Sequence, residues 1–352
     1  MTKITNTSAR DGERSETHAG AIIAGASALA LAGAAVYNRV RARQAERDIP
    51  PVGTFVEVDG VRLHFLERGA GPPLVLLHGN GATLQDFMLS GLIDAAAQRY
   101  RVVAFDRPGF GYSERPRSTV WSPSAQAGII MGALDKLEIK RPIVLGHSWG
   151  TLAALAMALE YPGKIAALVL VSGYYFPSVR PDVPLFAPPA IPILGDVIRH
   201  TLSPLAGRAM ASAMFKAMFA PEDVPAKMAD WPLELALRPS QIRAAAADTA
   251  LMVPAAAKLS KRYAELSLPV AIVAGDGDRI AHFDEQSAML NQVITGSELI
   301  KVAGAGHMLH YGALGELMAA IDRARRRAGE AELSDLAMPA ADVAADSPAV
   351  VA

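Results

Sequence analysis

Ile143-Val-Leu-Gly-His-Ser-Trp-Gly-Thr-Leu-Ala-Ala-Leu155 decides how this chain is read. An apolar, strand-like run ends at Gly146, an Ala/Leu-rich, helix-like run begins at Gly150, and Ser148 sits between them. A strand that turns directly into a helix strains the residue at the turn, so its neighbours two positions away need almost no side chain. The same turn exposes the Ser148 hydroxyl at the top of a sheet. A serine hydroxyl is a poor nucleophile at neutral pH, so chemistry here requires a histidine base and a carboxylate further along the chain.

Working towards the N-terminus, Leu74-Val-Leu-Leu77 is a short continuous apolar run of the kind buried on both faces in a parallel sheet, and it ends at His78-Gly79-Asn80-Gly81. Arg101-Val-Val-Ala-Phe105 is the next such strand. It stops at Asp106-Arg-Pro-Gly-Phe-Gly-Tyr-Ser113, where Asp106 and Ser113 are expected to hydrogen-bond the loop. Helical composition falls at about 122–137 and 150–161. Thr54 to Gly69 alternates apolar and polar around Asp59-Gly60 and reads as a β-hairpin, with His64 in its second strand as a packed or surface residue. Strand, helix, strand in alternation predicts a mainly parallel sheet covered on both faces. Alternation stops after Ala167-Leu-Val-Leu-Val-Ser172, and about 95 residues pass before Pro269-Val-Ala-Ile-Val-Ala resumes it, too many for a plain loop.

The 352 residues are 51% hydrophobic and 20% charged, a composition that suits a globular protein with a substantial core. A net charge of -1 offers no electrostatic case for nucleic acid. Cysteine is absent, which excludes disulfides and thiolate metal sites. His307 and His310 share an i, i+3 spacing that alone makes no metal site, so neither a metal nor a cofactor is expected.

Residues 1–18 read as a flexible N-terminus, 19–38 as a transmembrane anchor and 39–53, with two prolines at its end, as a linker. No charge interrupts Ala19 to Asn38, a length that approaches the ~20 residues needed to cross a bilayer. The segment is only weakly apolar, and Ala-x-Ala sites at 28–30 and 32–34 keep open a cleaved signal peptide and export. Arg39, Arg41, Arg43 and Arg47 follow it closely and favour a cytoplasmic catalytic domain. From Ala328 to the end, Ala, Asp, Glu and Pro without periodicity read as a disordered tail, 328–352.

His78-Gly79, Asp106-Arg-Pro-Gly-Phe-Gly, Gly146-His-Ser-Trp-Gly, Gly275-Asp-Gly-Asp and Gly304-Ala-Gly-His follow one another in an order that resembles the α/β-hydrolase fold family. The similarity is to the branch of esterases, epoxide hydrolases and haloalkane dehalogenases that carries a helical cap. It implies an eight-stranded, mostly parallel sheet over 54–173 and 269–327, with a cap at 174–268. A stripe of Met and Phe between Leu205 and Phe219 then either packs the cap on the core or lines the substrate site. Tyr174, Tyr175 and Trp231 are possible pocket walls.

The resemblance further implies that His307, directly after the last strand, is the base, which leaves His310 as a surface or helix-start residue. It places the acid at Asp278, with Asp276 as the near rival, and the oxyanion donors at the backbone N–H groups of Asn80 and Trp149. The side chains of Asn80 and Trp149 also resemble the halide-holding pair of haloalkane dehalogenases, but those enzymes use an aspartate where this chain has Ser148. Serine favours attack on a carbonyl and an acyl-enzyme that water hydrolyses. The expected activity is cleavage of a carboxylic ester or similar acyl bond in a small molecule. A carbon-carbon bond hydrolase, a lactonase, a peptidase and a ligand-binding protein with negligible turnover remain open.

Overall fold

The computed structural model describes residues 8–337. In chain order the elements are α1 (Ser8–Asp48), β1 (Thr54–Val58), β2 (Val61–Arg68), β3 (Pro73–Leu77), α2 (Leu84–Ser90), α3 (Leu92–Ala97), β4 (Arg101–Phe105), α4 (Pro123–Lys136), β5 (Ile143–His147), α5 (Gly150–Glu160) and β6 (Ala167–Val171). Then come α6 (Val183–Phe186), α7 (Leu194–His200), α8 (Leu202–Phe219), α9 (Leu233–Ala236) and α10 (Pro239–Leu259), followed by β7 (Val270–Gly275), α11 (Met289–Val293), β8 (Glu298–Val302), α12 (Leu309–Gly312) and α13 (Leu314–Ala337). The eight strands lie in the order β1-β2-β4-β3-β5-β6-β7-β8. The hairpin β1–β2 and the β2–β4 pair are antiparallel, and all other pairs are parallel.

Successive side chains of a strand point to opposite faces, and here each face meets its own layer of helices. Val75 and Leu77 of β3 pack with Ile130 of α4 and Leu152 and Leu155 of α5. Leu74 and Leu76 pack with Phe87 of α2, Ile93 of α3 and Leu317 and Ile321 of α13. A strand between two apolar layers has no polar face, which is why the parallel strands read as unbroken apolar runs. The helices start on local signals as well. At α4, the Ser122 hydroxyl accepts the Ala125 N–H at 3.2 Å, and Pro123 occupies the first turn.

The insertion between β6 and β7 is helical, and its longest element, α10, crosses over the loops at the carboxyl ends of the strands. Three sequence expectations change. α1 begins at Ser8 and continues to Asp48, so the stretches read as a flexible N-terminus and as a linker are helical from 8 to 18 and from 39 to 48. Ala, Arg, Gln and Glu dominate the second stretch and are strong helix formers, and two of its charged groups, Arg41 and Glu46, find partners on the cap. The tail read as disordered from 328 is helical to Ala337 for the same compositional reason; its remainder, like residues 1–7, lies outside the described residues.

The C-terminal part of α1 is built into the cap. Asn38, buried, donates from Nδ2 to the carbonyls of Thr201 (2.8 Å) and His200 (3.1 Å) and accepts from Arg208 at 2.9 Å. Arg208 and Arg41 share Glu234, and Arg238 meets Glu46 at 2.9 Å.

Candidate active site

Ser148 has a φ of 52°, the left-handed conformation expected of an elbow. The glycines are required by contact. A Cβ on Gly146 would lie 2.7 Å from the Gly150 carbonyl oxygen, and one on Gly150 would lie 2.2 Å from the Leu77 carbonyl oxygen. The elbow is tied to β6 by the Ser148 N–H, which donates to the Val171 carbonyl at 2.9 Å.

His307 arrives on the loop after β8, and its Nε2 lies 2.9 Å from Ser148 Oγ. Its Nδ1 lies 2.8 Å from Asp278 Oδ2. The other oxygen, Asp278 Oδ1, accepts the N–H groups of Ile280 (2.8 Å) and Ala281 (2.9 Å), which fixes the carboxylate behind the ring. Asp278 and His307 are buried, at 3% and 5% exposure. Asp276 points elsewhere: its Oδ1 accepts the Gly304 N–H at 2.7 Å, so it braces the loop that carries His307. The three groups thus form one hydrogen-bonded line that can pass a proton from Ser148 to His307 and hold the resulting imidazolium beside a carboxylate.

Asn80 and Trp149 are brought to the same point, with their side chains turned to the cap. The Trp149 indole N–H donates to the Asp248 carbonyl at 2.9 Å, and Asn80 Nδ2 donates to Thr249 Oγ1 at 2.9 Å and the Ala245 carbonyl at 3.2 Å. Neither side-chain donor is therefore free to hold a halide. Among the described residues the backbone N–H groups of these two residues have no intramolecular acceptor, which leaves them available to an oxyanion.

Sequence reasoning missed the pair that holds this arrangement. Arg107, fully buried, stacks on the rings of Trp149 (4.4 Å) and Phe110 (4.6 Å). It donates from Nε to the His78 carbonyl (2.7 Å), and from the two terminal nitrogens to the Gly79 carbonyl (3.1 Å), Gln126 (2.9 Å) and Asp248 Oδ2 (2.7 Å). Arg115 meets the other Asp248 oxygen at 2.9 Å. One guanidinium thus ties the loop of Asn80 to the cap helix α10. Asp248 is the single charge in Ala244-Ala-Ala-Ala-Asp-Thr-Ala-Leu-Met252, and that isolation was the available signal.

Four other histidines, His64, His78, His147 and His310, serve the scaffold. His64 accepts the Gly53 N–H on Nε2 (3.2 Å), so its Nδ1–H faces Asp106 Oδ2 (2.7 Å), and Asp106 also accepts from Leu84 and Tyr112. Ser113 donates to the Asp106 carbonyl at 2.6 Å, the loop role expected of both residues. His78 accepts the Arg107 N–H on Nε2 (2.9 Å) and donates from Nδ1 to the Gly79 carbonyl (2.8 Å); burial, and then the nearby Arg107 charge, push its pKa down to about 4. His310 stands at the start of α12, one of its two expected places, and not at the surface. It is fully buried, with Nε2 2.9 Å from Asp86 Oδ2, because α12 turns inwards onto α2.

Asp86, His147 and His310 form a buried cluster whose ligand-type atoms lie within 4.8 Å of one another. Burial opposes the Asp86 charge, yet His310 first, then His147 and Tyr311, hold its carboxyl below the usual range. Both Asp86 oxygens are taken, by His310 and by the Tyr311 hydroxyl at 2.8 Å. Burial, with His310 and His307 alongside, holds His147 far below the ordinary imidazole value, and its Nε2 lies 3.0 Å from the His307 carbonyl, to which it donates. The cluster packs behind the loop of His307.

The geometry has counterparts. Residues 72–313 match the family described as alpha/beta hydrolase fold. The chain is 35% identical over 136 residues to 2-hydroxymuconate semialdehyde hydrolase of Pseudomonas sp. strain CF600, covering 38% of this chain and 48% of that protein. It is 33% identical over 117 residues to haloalkane dehalogenase 2 of Mycobacterium tuberculosis H37Rv, covering 33% and 40% respectively. The matched parts span about half the length of these curated relatives or less. Among solved structures, that of a membrane phospholipase A superposes with a TM-score of 0.60 at 20% identity over 90% of this chain and 99% of that one, a likeness of fold. With the family matched over 72–313, well over half of its length, the chain belongs to the α/β-hydrolase fold family.

Proposed function

We propose that this hydrolase cleaves a carboxylic ester or similar acyl bond through an acyl-enzyme on Ser148. The observation that carries the reading is the unbroken line Ser148–His307–Asp278, with contacts of 2.9 and 2.8 Å. His307 takes the Ser148 proton as the oxygen attacks the carbonyl, and the N–H groups of Trp149 and Asn80 hold the oxyanion. His307 then gives the proton to the leaving group and, in the second half, activates water. Asp278 accepts the Nδ1–H throughout.

A fluorophosphonate probe should label Ser148 in the wild type, and p-nitrophenyl esters should turn over. Ser148→Ala should abolish labelling and lower kcat by about 10⁶ while leaving the fold intact. Near-wild-type ester hydrolysis by that variant would defeat the mechanism. The likeness to 2-hydroxymuconate semialdehyde hydrolase favours the carbon-carbon bond hydrolase as a second reading, which turnover of that semialdehyde in preference to esters would select.

We read α1 as a membrane anchor. Its span from Ala21 is long and apolar enough to cross a bilayer and is almost wholly uncovered by the rest of the protein. The full-length chain should pellet with membranes in high salt at its uncleaved mass. Cleavage after Ala30 or Ala34 and release would select the signal-peptide reading.

A further inference from the structure

The contacts between α1 and the cap follow a sequence along the helix. Glu46 meets Arg238, Arg41 meets Glu234, and Asn38 meets Thr201 and His200 at the C-terminal end of α7. Nearer the N-terminus, Leu31, Ala34 and Ala35 are half-buried, and residues 21–30 are all exposed. α7 is therefore the hydrogen-bonded cap element nearest the free apolar turns of α1.

The cap's exposed aliphatic side chains gather at and beside this element. Apart from Val179 and Leu205, they are Leu185 of α6, Ile191 and Ile193 of the connecting turn, Leu194 and Val197 of α7, and Leu202 at the start of α8, with Ile193 82% exposed. No residue from Val183 to Gly195 is charged. The charges at either end of that stretch are neutralised within the fold: Arg180 pairs with Asp182, and Asp196 with Arg117 and Arg199. Arg39 and Arg43, exposed at the groove where α1 borders His200 and Arg238, have no side-chain partner among the described residues. An uncharged aliphatic face beside an apolar helix suits one solvent, hydrocarbon, and unpaired arginines at its border suit phosphate headgroups.

We propose that this cap face is a second membrane contact, seated in the acyl layer of a bilayer whose anionic headgroups meet Arg39 and Arg43. The inference rests on reading α1 as an anchor. It deepens the proposed function: α10 packs beneath α7 and, with α8, reaches the site through Asp248 to Trp149 and through Met218 to the His307 N–H, so an acyl substrate would be drawn from the bilayer between them.

The test uses the full-length chain reconstituted in phosphatidylcholine–phosphatidylglycerol vesicles with brominated acyl chains. Tryptophan at Ile193→Trp should lose more than half of its added fluorescence, whereas Met289→Trp, on α11, should keep its own. Equal quenching at the two sites in protein that floats with the vesicles overturns the inference and leaves the anchor standing. Failure to float overturns both. The chain has no cysteine, so Ile193→Cys reports a second copy cleanly; disulfide-linked dimers without quenching assign the face to self-association and overturn the inference. In activity, the double variant Ile193→Asp, Leu194→Asp should lose about tenfold against an acyl ester held in vesicles. It should keep its rate on water-soluble p-nitrophenyl butyrate. An equal fall on both substrates overturns the inference.

Discussion

Ser148 and its neighbours Asn80 and Trp149 are placed by different means. Ser148 is fixed by its immediate neighbours: Gly146 and Gly150 clear the space, and a backbone bond to Val171 ties the turn down. Asn80 and Trp149 are fixed by the cap. Trp149 bonds to Asp248, 99 positions on, Asn80 to Thr249, 169 positions on, and Arg107 links their loops to the same helix. The conformation of Ser148 is therefore a product of local sterics, and the side-chain positions of Asn80 and Trp149 are a product of cap docking. Changes near the elbow should cost chemistry while sparing stability, whereas changes at the Arg107–Asp248 contact should cost stability first.

The sharpest case on the elbow side is Asp278→Asn, which keeps the hydrogen-bonding shape but removes the charge and the tautomer preference of His307. It should lower kcat by about three to four powers of ten with little change in folding. A smaller effect than that of Asp276→Asn would move the acid to Asp276. On the cap side, Asp248→Ala leaves two buried guanidinium groups without their carboxylate, and breaking a buried pair costs about 3–5 kcal/mol. Urea unfolding should record that loss; an unchanged midpoint would mean that the cap is held by packing alone.

Acid should separate the regions further. The folded pKa of His78, about 4, lies below its ordinary 6.5, so the unfolded chain binds more protons between these values. Its contribution is complete above about pH 6.5 and is lost as pH falls towards 4, on the order of 3 kcal/mol in full. His147 titrates in the same direction. His78→Asn should flatten the acid limb of a stability–pH curve, and an unchanged limb would assign the sensitivity to other groups. The smallest effect is expected at Asp276→Asn, which loosens the bond to Gly304. It should cost under about 1 kcal/mol of stability and less than tenfold in kcat.

The same division explains what could be read from the sequence. The strands, the elbow and the ordered motifs are local patterns, and Ser148, Asp278 and His307 lie at the ends of strands where such patterns place them. Arg107 and Asp248 are 141 positions apart, and His310 and Asp86 are 224 apart. A salt bridge or buried imidazole at that separation leaves no period and no spacing, so His310 read as a surface or helix-start residue, and only its place at the helix start was legible. The join between α1 and the cap was hidden for a related reason. Prolines at 50 and 51 suggested a linker, whereas the helix-forming residues before them continue the helix, and Arg41 and Glu46 among them pair with Glu234 and Arg238 of the cap.

Because α1 passes into the cap with no joint, its helical phase is part of the design. A helix turns about 100° with each residue, so one residue inserted between Leu31 and Asn38 would rotate the free apolar turns by about 100° about the axis relative to Ser148. Inserting seven would restore the phase to within about 20° while lifting the domain by about 10 Å. A flexible tether would make both insertions equivalent. In this fold, angle and height can be changed separately through the length of one helix.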